Sequence, residues 1–95
     1  MTLEPGSPST TDAAILAAIG DVAREHLGWT GPLGRDTPLV EVLALDSIRQ
    51  LTLVIEIENH FRIRLDDEEA GAVRTAGDLV DAIRRGWVAR DGDAR

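Results

Sequence analysis

The chain has 95 residues and a formal charge of −7, with ten basic residues, all of them arginine, and no cysteine. That length supports one domain with a compact core and leaves no room for a deep, enclosed active site. The acidity argues against a nucleic-acid partner, which needs a basic surface, and the absence of cysteine removes disulfides, thiolate nucleophiles and thiolate metal sites.

Met1 to Thr11 is polar and rich in Pro, Ser and Thr, without the basic residues or apolar run of a signal peptide, and reads as a disordered lead-in over residues 1–11. No stretch is long enough to span a bilayer, so the expectation is a cytoplasmic protein with no membrane partner. Thr11 or Asp12 can cap a first helix. Ile15, Leu16, Ile19, Val22, Ala23 and Leu27 then recur at helical spacing, and Gly28 is a natural stop. A long loop follows to about Asp46, broken by Pro32 and Pro38, with Leu39, Val42 and Leu43 as an apolar approach.

Leu45-Asp46-Ser47-Ile48 closes that loop and puts a hydroxyl where a helix can begin. Unpaired N–H groups and the positive end of a helix dipole favour a phosphate ester at such a position. Asp and Ser are also the commonest helix N-caps, and capping alone accounts for the pair as well. The next segment reads two ways. Leu51, Leu53, Ile55 and Ile57 alternate with Thr52, Val54, Glu56 and Glu58, which suits a strand and a hairpin turning at Glu58-Asn59-His60. The helical alternative puts Ile48, Leu51, Val54, Ile55 and Glu58 on one side, with Phe61 beyond.

Asp66 to Glu69 before Ala70-Gly71-Ala72-Val73 predicts a short helix with acids at its positive end. Thr75 and Asp78 predict a capping box for a last helix whose apolar stripe is Leu79, Val80, Ile83 and Trp87. Arg90 to Arg95 reads as a frayed tail over residues 90–95. Trp29 and Trp87 are expected in the core or at its rim, and His26 and His60 at the surface near helix ends. His60 would lie about 20 Å along a helix from Ser47, too far to act as its base.

Taken in order, Thr37-Pro38-Leu39, Leu43, Leu45-Asp46-Ser47-Ile48, Leu51, Glu56, Glu58, Phe61-Arg62-Ile63, Leu65-Asp66-Asp67 and Thr75 to Val80 resemble the acyl carrier protein family across residues 12–89. The resemblance implies an all-α four-helix bundle with a short third helix, and so a helix after Ser47. It implies a non-catalytic shuttle with no catalytic residue and no metal site of its own. A phosphopantetheinyl transferase would move a 4'-phosphopantetheine arm from coenzyme A onto Ser47. The thiol of the arm would then hold acyl intermediates as thioesters, which supplies the sulfur this chain lacks.

The same resemblance assigns Asp46 to capping and to contact with the transferase. It puts Ile48, Arg49, Thr52, Glu56, Asp67 and Glu68 on the partner surface, with Ile48 also anchoring the helix start. Leu51, Ile55, Ile63 and Ala72 are the candidate lining of an acyl-chain pocket, or ordinary core. Carriers of fatty-acid synthesis commonly show several acids along this helix. Here Arg49, Gln50, Thr52, Glu56 and Asn59 are the expected exposed positions, with Arg49 free to meet a phosphodiester or a partner's acid.

That departure points to a monomeric carrier of a polyketide or related natural-product pathway. It would be served by an acyl-loading ligase or acyltransferase and by a ketosynthase or other condensing or tailoring enzyme. Ala44-Leu45, where peptidyl carriers often have Gly-Gly, favours acyl over aminoacyl cargo. The alternatives are a peptidyl or aminoacyl carrier of a nonribosomal-peptide pathway, and an unmodified acidic helical interaction module.

Overall fold

The computed structural model describes residues 11–43 and 46–93; Met1 to Thr10 of the expected lead-in lie outside them, as do Ala44 and Leu45. Five helices follow in order: α1 (Asp12–Leu27), α2 (Leu39–Val42), α3 (Ser47–Phe61), α4 (Asp67–Ala72) and α5 (Ala76–Asp93). The fold is all-α: α1, α3 and α5 are the long members of the bundle, α4 is its short third helix, and α2 is a single turn within the long loop. The hairpin alternative fails. Residues expected to alternate across a sheet are helical, and the β pairing among the described residues is an isolated bridge between Pro38 and Thr75. The last helix continues to Asp93, so residues 90–93, expected in the tail, are helical.

Local capping explains the boundaries. Thr11 Oγ1 accepts from the Ala14 N–H at 3.2 Å, and Gly28 ends α1 at φ 72°, the left-handed conformation that glycine adopts at least cost. Asp66 Oδ1 takes the Glu69 N–H at 2.7 Å to start α4. Thr75 and Asp78 form the predicted capping box, each side chain accepting the other's backbone N–H at 3.1 and 3.2 Å. The loop completes the start of α5. Ala76 and Gly77 donate to Thr37 O and Arg35 O at 2.9 and 2.8 Å, so two orphan donors of the helix find carbonyls there. That approach needs glycine at 77, where a Cβ would stand 2.9 Å from Arg35 O.

The core is drawn from every long helix. Ile15, Ile19, Val22 and Ala23 of α1 face Leu53, Ile57 and Phe61 of α3 and Leu79, Val80, Ala82, Ile83 and Trp87 of α5. Trp87 and Phe61 are its largest buried side chains, meeting edge to face at a ring separation of 5.8 Å. Trp29, at the rim, is partly buried against the cluster. His26 and His60 are exposed, as expected.

An ion network ties the ends of this frame together. Asp12 accepts from Arg84 and, at 2.9 Å, from Arg35, which also reaches Asp81 at 3.1 Å. The hydrogen bond from Arg84 holds the Asp12 carboxyl below its ordinary 3.8, helped by the charges of both arginines. Asp78 is lowered by the N–H groups of Arg74 and Thr75. Depressed carboxylates contribute stability that is complete above the unfolded value and lost as pH falls through the folded one. Thermal midpoints are therefore expected to fall as the pH is lowered through the ordinary carboxylate range and below it. Asp12→Asn should lower the neutral midpoint and flatten that acid limb, as read by circular dichroism melts.

Candidate functional site

Ser47 is the first residue of α3 and is exposed. Asp46 precedes it in an extended conformation, and its Oδ1 accepts the Arg49 N–H at 2.8 Å. The helix is 15 residues long, so its first-turn N–H groups and dipole present a positive end at the hydroxyl. A carboxylate cap also explains why α3 begins here rather than a residue earlier or later. His60 sits at the opposite end of the same helix. Among the described residues no group of three or more His, Cys, Asp or Glu could hold a metal ion.

Beside Ser47 lies an open groove of ≈ 290 Å³ between α3 and α4, lined by Gln50, Leu51, Val54, Leu65, Asp67, Ala70 and Gly71. Its floor continues inward past Gln50, Val54, Leu65 and Ala70 to a void of ≈ 20 Å³ walled by Leu39, Leu53, Ile57, Val73 and Leu79. That is room for about one water, so the groove does not open inward into an acyl-sized cavity among the described residues. Small residues at Ala70 and Gly71 keep the α4 side of the groove low.

The expected pocket residues do not assemble. Leu51 lines the groove but is 60% exposed, and Ile55 is 43% exposed. Ile63 is buried where a Cβ on Gly86 would touch it at 2.9 Å. Ala72 faces a separate polar depression with Glu69, Asp78 and Arg85. The cause is helix phase. α3 buries Leu53, Ile57 and Phe61, which turns the Ile48, Leu51 and Ile55 stripe to the outside. Sequence reasoning missed Gln50, Val54, Leu65 and Ala70. Spacing from Ser47 by one turn singles out Gln50 and Leu51 together, and only the packed side distinguishes them.

The partner-surface residues separate in the same way. Ile48 is 77% exposed, so it does not anchor the helix by burial. Asp67 and Glu68 are exposed in the first turn of α4. Thr52 is half-buried and bonds back to Ile48 O at 3.0 Å; Glu56 is half-buried and lies 3.4 Å from His26 Nε2. Arg49, expected at the surface, is half-buried: Nη2 donates to Leu27 O at 2.9 Å and to Leu43 O at 3.4 Å. The carbonyls of Leu27 and Leu43 hold Nη2 inward, on the side of α1 rather than toward solvent.

Known proteins share both the sequence and the shape. Residues 14–83 match the family described as the phosphopantetheine attachment site. An acyl carrier protein of Arthrobacter sp. (strain FB24) is 36% identical over 70 residues, covering 73% of this chain and 86% of that protein. The crystal structure of an acyl carrier protein from Thermotoga maritima superposes with a TM-score of 0.75 at 27% identity, covering 84% of this chain and 94% of the other. The solution structure of holo acyl carrier protein from Geobacter metallireducens gives 0.70 at 25% identity, over 84% and 92%.

Proposed function

The chain belongs to the acyl carrier protein family, the family of the phosphopantetheine attachment site, and from that premise we propose that Ser47 is the residue that carries the arm. Acyl carrier proteins are non-catalytic; they are substrates of a phosphopantetheinyl transferase and of acyl-handling enzymes. The observation that carries the assignment is the exposed hydroxyl at the first residue of α3, capped by Asp46 and opening on the groove.

The residues fit such an arm. Its phosphodiester is an anion, and the start of a long helix offers unpaired N–H groups and a favourable dipole. The groove beyond offers Leu51, Val54 and Leu65 to an apolar chain. When bound, the arm supplies a thiol that holds an acyl group as a thioester. The chain's own work is to present Ser47, keep α3 in phase, and offer a face to each enzyme in turn. Tethering raises the local concentration of cargo without tight docking.

That face is the Ile48, Leu51 and Ile55 stripe, edged by Thr52 and Glu56 and by Asp67 and Glu68 on α4. The scarcity of acids along α3, which carries only Glu56 and Glu58, supports a dedicated carrier of a polyketide or related natural-product pathway, working with a loading ligase or acyltransferase and a ketosynthase or tailoring enzyme. Intact mass after incubation with a broad-specificity phosphopantetheinyl transferase, Mg²⁺ and coenzyme A tests the first step. A gain of one arm is expected; no gain in a folded chain leaves an unmodified interaction module. Parallel loading of the holo chain by acyl- and aminoacyl-transferring enzymes tests the second. Acyl loading is expected, and aminoacyl loading alone would replace the polyketide reading with a peptidyl one.

A further inference from the structure

Given Ser47 as the attachment residue, we infer that Arg49 is its positioning residue, clamping the end of α1 and the approach to the site so that the hydroxyl is presented in one geometry. The case begins with the carbonyls at the end of α1, which have no partner within the helix. Ala23 O receives the N–H groups of both Gly28 and Trp29, so the backbone closes that turn itself. Leu27 O goes instead to Arg49 Nη2 at 2.9 Å, a cation at the negative end of a helix dipole.

The same nitrogen reaches Leu43 O at 3.4 Å, at the C-terminal end of α2. On its backbone side, Arg49 gives its N–H to the Asp46 cap at 2.8 Å. One residue therefore holds both flanks of the junction that carries Ser47, and fastens them to a neighbouring helix. The side chain accepts a cost in doing so. Its Nε is buried without a hydrogen-bond partner, although a turn outward would return it to water. A flexible arginine left in that position is held by what its other end bonds. The outward stripe of Ile48, Leu51 and Ile55 takes no part in the clamp, so docking and presentation rest on different residues.

The test uses the full chain and the broad-specificity transferase with Mg²⁺ and coenzyme A. Arg49→Met keeps the length of the side chain and removes its donors. It is expected to lower kcat for arm transfer by about tenfold while KM for the carrier changes little, because a displaced hydroxyl reacts poorly once docked. Arg49→Lys, which keeps a charged donor, is expected to recover part of the loss. Ile83→Val, a core change on α5, is expected to react like the native chain despite its lower stability.

Native kcat in folded Arg49→Met overturns the inference, as does an equal loss in Ile83→Val, which would make stability the cause. Should Arg49→Met fail to fold, Arg49→Leu, which also lacks donors, is read by the same criteria. A native chain that takes no arm overturns the attachment reading itself, and the failure of the native control tells the two apart.

Discussion

Ser47→Ala is expected to take no arm at all while keeping the helical spectrum and thermal midpoint of the native chain. The hydroxyl is exposed at the first position of α3, and the cap is made by Asp46 rather than by Ser47. Removing it leaves no cavity and no buried donor, so its stability cost should stay within about 0.5 kcal/mol. Attachment, by contrast, has no second nucleophile of equal placement beside the groove: Ser47 supplies its only hydroxyl. The mass of the variant after the transferase reaction should therefore be that of the bare chain. A gain of one arm on Ser47→Ala would move the site elsewhere. Asp46→Ala separates the neighbouring role. It should lose about 1 kcal/mol through the lost cap, seen as a lower urea midpoint, yet retain a site that can be modified.

The largest effect on stability is expected from Trp87→Ala. Trp87 is fully buried, packs edge to face on Phe61, and donates its indole N–H to Phe61 O at 3.2 Å. One residue before it, Gly86 brings α5 so close to Ile63 that even a methyl group would meet it at 2.9 Å, so the surrounding chain is already at contact. Truncation opens a large cavity and removes the indole hydrogen bond. A loss of about 3–5 kcal/mol follows for the cavity. Domains of this kind have about 5–15 kcal/mol in total, so the variant should lose a large share of its stability. Trp87→Phe fills most of the space but loses the indole hydrogen bond, and should fall between the two. Urea unfolding followed by circular dichroism ranks the three; a shift of less than about 1 kcal/mol for Trp87→Ala would place the tryptophan outside the core.

Much of the architecture was legible in the chain because helix ends are settled locally. Thr11, Gly28, Asp66, Thr75 and Asp78 each act on backbone groups within four or five residues, and the structure has them in the expected roles. Asp46 belongs with them. The helical nature of residues 47–61 was not legible from periodicity, which suited a strand as well. It came from the resemblance, and the reason periodicity failed is visible in α3. The helix carries one apolar stripe at Ile48, Leu51 and Ile55 and another at Leu53, Ile57 and Phe61, on nearly opposite sides, so alternate positions are filled as they would be in a strand.

What the sequence determined by itself was where α1 starts and stops, where α4 and α5 start, and that Asp46-Ser47 can cap a helix. Those outcomes depend on side chains bonding to their own neighbouring backbone. The tertiary structure decided which apolar stripe of α3 is buried, which residues line the groove beside Ser47, and where Arg49 points. Each of these depends on surfaces distant in the chain: the Phe61–Trp87 contact sets the phase of α3 against α5, and the carbonyl of Leu27 draws the guanidinium toward α1. A stripe is a property of one helix, but burial is a relation between two, and only the packed bundle could choose.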